Sequence, residues 1–147
     1  MLKTALIVRL VVGLTGSAAL AADGGSVDAD GTVTIHPGEK IVIAFSSADD
    51  LTRPSLASTA GGTATMSFDF QQSPEAGLML MIENHLPIWV KYDATIVVKT
   101  ADGEREARTS TCPVFARGMG TESWRDPIVA LKLSGFRKID AGNMVCN

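Results

Sequence analysis

Thr63-Ala64-Thr65-Met66-Ser67-Phe68-Asp69-Phe70-Gln71 decides the fold class. Ala64, Met66, Phe68 and Phe70 fall on one side of an extended chain, while Thr63, Thr65, Ser67 and Asp69 fall on the other. Side chains alternate in a strand with a period of two, so this segment reads as a strand with one face in a core and one in water. The same rhythm recurs on both sides of it. Thr32 to Ile35 alternates polar and apolar, and Lys40 to Phe45 places Ile41, Ile43 and Phe45 on one face. His36-Pro37-Gly38-Glu39 lies between them. Proline presets φ at the second turn position and glycine supplies positive φ at the third, which predicts a type II turn.

Four more strands follow. Leu78 to Glu83 is apolar on both faces, with Leu78, Leu80 and Ile82 against Met79 and Met81. Such a strand is expected to be covered on both sides. Ile88 to Lys99 runs into Asp102-Gly103, a hairpin signal, and Glu104 to Cys112 returns as its partner. The charges Glu104, Arg105, Glu106 and Arg108 suit an exposed edge, where they discourage pairing with other chains. Ile128 to Phe136 is the last strand, and Met144-Val145-Cys146 reads as a short strand or an extended segment.

Seven strands with closely spaced turn signals, and no amphipathic helix, predict an all-β domain. The favoured architecture is a two-sheet antiparallel sandwich, immunoglobulin-like in pattern, and a small closed barrel is the alternative. The antibody arrangement of two cysteines bracketing a core tryptophan is not met, since Trp89 precedes both cysteines. Two segments, Ser46–Gly62 and Pro113–Pro127, read as long loops.

Residues 1–21 read as a secretory signal peptide: Lys3 in a short n-region, an apolar stretch, then Ala19-Leu20-Ala21 with small side chains where signal peptidase needs them. The expected cut precedes Ala22, with a cut before Asp23 as the near alternative. The apolar run is shorter than the roughly 20 residues of a membrane span. Residues 22–31 read as a flexible lead-in and 32–147 as a single domain. The compartment implied is periplasmic or secreted, with no membrane attachment after cleavage.

The chain has 13 basic and 16 acidic residues. Losing Lys3 and Arg9 with the leader leaves a net charge of −5. That balance, without a basic run, argues against a nucleic-acid partner. Cys112 and Cys146 are the two cysteines. In an exported domain such a pair is expected to form a structural disulfide. The loop closed, about 35 residues, would be worth roughly 3–4 kcal/mol on the chain-entropy model.

Chemistry-bearing motifs are few. Met79, Met81 and His85 are a weak soft-metal set, weighed against core packing of the methionines. No Gly-x-Ser-x-Gly elbow or reactive-thiol context is present, and His36 and His85 are the two candidate bases. The carboxylate pairs Asp49/Asp50 and Glu122/Asp126 lack a calcium-loop pattern. No cofactor is expected. The second long loop holds Phe115, Arg117, Met119, Trp124 and Arg125, residue types that populate interface cores. Trp124 could equally plug one end of the sandwich.

These features point to an exported, non-enzymatic protein with a protein or envelope-polymer partner, or a structural role in the envelope. The alternatives are an inhibitor of an exported hydrolase, presenting Trp124, and a copper carrier using Met79, Met81 and His85. The oligomeric state is not legible.

Overall fold

The computed structural model describes residues 22–58 and 64–147. The proposed signal peptide and part of the first long loop lie outside the described residues. The described residues form eleven strands and no helix: β1 (Ala22–Asp23), β2 (Ser26–Val27), β3 (Val33–Ile35), β4 (Glu39–Ala44), β5 (Ser55–Leu56), β6 (Thr65–Ser73), β7 (Gly77–Asn84), β8 (Trp89–Thr100), β9 (Gly103–Thr109), β10 (Gly118–Trp124) and β11 (Ile128–Ile139). One sheet has the order β1-β4-β6-β7-β10, with β5 also paired to β4. The other has the order β2-β3-β11-β8-β9. All pairings are antiparallel except β1 with β4. Two separate sheets make this a sandwich rather than a closed barrel.

The core lies between the sheets. Met66, Phe68 and Phe70 of β6 meet Tyr92 and Leu131 from the opposite sheet, all fully buried. Phe68 and Tyr92 pack edge to face at 6.1 Å between ring centroids. The turn at 36–39 is as expected: Gly38 has φ of +90°, and Glu39 N–H donates to His36 O at 3.0 Å.

Three expectations need correction. The seven strands anticipated are eleven, because four further pairings carry little or no sequence rhythm. Two of these, β1 and β2, lie in the segment read as a flexible lead-in. They are held by main-chain pairing to β4 and β3, which leaves no side-chain signature in two residues. A third, β5, lies in the first long loop.

The fourth new strand, β10, lies in the middle of the second loop and pairs with β7 over its full length. Its inward positions are Gly118, Gly120, Glu122 and Trp124, so the usual apolar alternation is hidden. The missing volume comes from the preceding segment. A Cβ at Gly118 would fall 1.9 Å from the Phe115 ring, and one at Gly120 would touch Val114 at 3.2 Å.

The third correction concerns β7, expected to be covered on both faces. Leu78, Leu80 and Ile82 enter the core, but Met79 is only half-buried and Met81 is 37% exposed. The opposite sheet covers only one side of β7, so its methionines stand on the outer face and core packing does not account for them.

Candidate functional site

The candidate residues gather around β10. Register places Met119 opposite Glu83, Thr121 opposite Met81, and Ser123 opposite Met79. Met119, Thr121 and Ser123 therefore form the outer side of this strand. Met119 is 56% exposed, too much for a residue serving the core. On the inner side of β10 lies Phe115, 46% exposed, its ring against Gly118 and 6.2 Å from the Trp89 ring. Arg117 and Arg125, both exposed, flank the two ends of the strand. Neither forms an ion pair among the described residues.

Trp124 stands apart from this group. It is 9% exposed, packs edge to face on Phe70 at 6.1 Å, and donates its indole N–H to Thr109 Oγ1 at 2.9 Å. It is thus a core-facing residue rather than a protruding one. An inhibitor that presents Trp124 would need this side chain in water, and here it packs on Phe70.

β10 is the terminal strand of its sheet, and no backbone hydrogen bond joins it to any described element besides β7. Its outer edge is thus open among the described residues. The contrast with β9, the terminal strand of the other sheet, is chemical. β9 carries exposed Glu104, Arg105, Glu106 and Arg108, and Glu106 is paired with Lys132. β10 presents only Met, Thr and Ser on its outer face. Its one carboxylate, Glu122, turns inward and accepts the Cys112 N–H at 2.6 Å. Natural sheets guard free edges with charge, bulges or cover, and among the described residues β10 has no charge on its outer face, no bulge and no covering strand.

Residues that the sequence did not single out hold this region in place. Asn84, fully buried at the end of β7, donates from Nδ2 to Ile88 O (2.9 Å) and Phe115 O (3.0 Å), while its Oδ1 accepts Leu86 N–H at 3.0 Å. One side chain thus fixes both the β7–β8 turn and the approach to β10. A buried asparagine satisfied on both ends of its amide leaves no polar group stranded in the core.

Behind β10, Cys112 and Cys146 are joined as a disulfide, as expected. The segment after β11 is drawn onto the sandwich, with Thr111 and Asn147 exchanging main-chain hydrogen bonds at 3.2 Å. Lys91 is buried beneath this segment. Its ammonium donates to Thr111 O, and to the main-chain oxygens of Val145 and Asn147 at 3.4 Å. Burial, and then the nearby Arg137, hold the Lys91 pKa below the ordinary lysine value. Glu122 is shifted upward, because desolvation outweighs the Cys112 N–H and the Lys91 charge. A cavity of about 180 Å³ between Lys91, Arg137, Ile139, Asn143 and Val145 lies under the same segment.

The soft-metal set does not converge. Met79 and His85 are six residues apart on or just beyond one strand, roughly 20 Å at strand spacing. His85 turns toward Glu83 instead, with 3.5 Å between Nε2 and Oε2. Met81 stands diagonal to Met119, which gives two thioethers with no third soft donor beside them among the described residues. The paired carboxylates do not converge either. Asp50 is taken up by Thr52 N–H and Oγ1 at 3.1 and 2.7 Å, and Asp126 is exposed on the far side of Trp124 from Glu122. Among the described residues no three His, Cys, Asp or Glu side chains cluster as a metal site. His36 lies 3.0 Å from Glu39, and among the described residues no Ser, Thr or Cys is hydrogen-bonded to either histidine ring.

No protein-family model, curated protein or solved structure matches the chain. The functional reading therefore rests on the geometry alone.

Proposed function

We propose that this is an exported, non-enzymatic binding protein of immunoglobulin-like pattern, whose contact surface is the rim of β10. The observation that supports this reading is the arrangement of candidate residues around one strand: Met119 on the outer side, Phe115 on the inner side, Arg117 and Arg125 at the ends. Large apolar groups left in water beside an unguarded strand edge are a liability unless a partner covers them. The disulfide is compatible with an oxidising compartment such as the periplasm.

The test is site-specific photocrosslinking in cells that express the full chain. A crosslinking residue at position 119 should trap a discrete partner, identified by mass spectrometry and confirmed from the partner's side with a tag. The same residue at position 105, on the charged edge of β9, should not. Equal trapping at both positions would overturn the assignment of the surface.

A further inference from the structure

We infer that β10 receives an extended segment of a partner polypeptide as an added strand, uncharged at its centre and carrying a carboxylate side chain near each end. This rests on the binding role given above and specifies its mode. An open terminal strand offers a row of N–H and C=O groups to any extended chain, and main-chain pairing of that kind supplies affinity without a deep pocket. The outer face beside that row is neutral along Met119, Thr121 and Ser123, so the middle of an added strand meets no charge. Of the carboxylates on β7 and β10, Glu122 is turned inward onto Cys112 N–H. Glu83 is directed to Ser67 Oγ (3.2 Å) and His85 Nε2 (3.5 Å). Asp126, exposed, follows Arg125 beyond the end of the strand. Arg53, Arg105 and Arg108, without an ion pair among the described residues, lie away from this strand. Arg117 and Arg125, also unpaired among the described residues, lie eight residues apart along the strand direction. That spacing, roughly 26 Å in extended chain, is the distance a complementary segment must span between its two acids.

A second copy of this chain fits poorly. Antiparallel self-pairing centred on Thr121 would set Arg117 of each copy beside Arg125 of the other, and like charges placed opposite one another are destabilising. Opposite charge at both ends is what this edge selects.

The experiment uses the processed protein and a synthetic peptide of about nine residues, Asp at each end and alternating Thr and Val between. Three control peptides have Lys at the ends, or N-methyl groups on alternate residues in one register or in the other. Binding is followed by fluorescence anisotropy, and by amide shifts mapped on the protein. The Asp-ended peptide should bind and move amides 118–124. The Lys-ended peptide should bind about tenfold more weakly, the size expected of two exposed ion pairs. At least one N-methyl register should abolish binding. The double variant Arg117→Glu, Arg125→Glu changes only exposed side chains and should reverse the charge preference. Equal binding of both charged peptides, tolerance of both N-methyl registers, or shifts away from β10 would each overturn strand addition. So would a dimer in sedimentation that is lost with Thr121→Arg, which would name a second copy as the occupant. If no peptide binds while position 119 still traps its partner in cells, strand addition fails and the binding role stands. If position 119 traps nothing, the binding role itself fails.

Discussion

The ammonium of Lys91 donates to the main-chain oxygen of Thr111, next to the half-cystine Cys112, and the same ammonium reaches the oxygens of Val145 and Asn147 on either side of Cys146. One buried cation thus fastens both arms of the disulfide. Opening the bond should release the segment and bring Lys91 into water. Cys146→Ser is expected to lower stability by about 3–4 kcal/mol, the chain-entropy value for a loop of this length. It should also make Lys91 a site of rapid acylation by an amine reagent, read by peptide mass spectrometry. Equal labelling in the parent and the variant would show that the segment does not shield the amine. The lowered Lys91 pKa has its own sign. The unfolded chain holds that proton more tightly, so stability should rise with pH between the lowered value and the ordinary 10.5.

Glu122 acts with the opposite sign. Its pKa is raised in the fold, so the folded state binds the proton more tightly than the unfolded chain. The contribution to stability is best in acid and declines as pH climbs from the ordinary 4.5 through the raised value. Glu122→Gln keeps an oxygen to accept the Cys112 N–H and removes the buried charge. Melting temperatures of parent and variant should be close in acid and diverge in favour of the variant toward neutral pH. A difference that does not change with pH would mean that desolvation is not what moves this group.

The two faces of the sandwich were legible where side chains alternate. Val33, Ile35, Ile41, Ile43, Phe68, Phe70, Leu131 and Leu133 are all buried as their spacing implied. β10 was illegible for a physical reason: two of its inward positions are glycines whose space is filled by Phe115 and Val114 from the segment before it. Pattern reading assumes that a strand supplies its own core side chains, and here a neighbouring segment supplies them. Residue type alone points to the candidates of that stretch, and the structure places four of them around one edge and the fifth, Trp124, in the core. Asn84 and Lys91 carry no sequence signal, because their importance lies in which main-chain atoms they meet, and Glu122 stands out only as half of a carboxylate pair, not as the acceptor of Cys112 N–H.

Tyr92 tests how completely the core is satisfied. Its ring is fully buried between Phe68 and Phe136, and its hydroxyl finds no hydrogen-bond partner among the described residues. Burial accordingly drives its pKa well above the ordinary tyrosine value. An unsatisfied buried hydroxyl costs about 1–3 kcal/mol. Tyr92→Phe removes it at almost constant shape and should stabilise the domain by about 1 kcal/mol in chemical denaturation. A clear loss of stability would mean that the hydroxyl is engaged.

Asn84 offers the sharpest test of how the rim of β10 is positioned. Its amide nitrogen serves the carbonyls of Ile88 and Phe115, and its amide oxygen serves the Leu86 N–H. Asn84→Ala strands all three main-chain groups and should cost about 2–4 kcal/mol. It should also free the Phe115 backbone, shifting the emission of half-buried Trp89 toward red while leaving Trp124 protected from quenchers. Asn84→Asp separates the two halves of the role. An aspartate oxygen can still accept from Leu86, but a carboxylate facing the carbonyls of Ile88 and Phe115 is repelled by both, and it is buried without a cation. Near neutral pH this variant should therefore be less stable than Asn84→Ala. In acid the protonated side chain can donate to one carbonyl, and the order should reverse. If the aspartate and alanine variants keep the same relative stability at all pH values, the amide donors of Asn84 are not what holds the approach to β10.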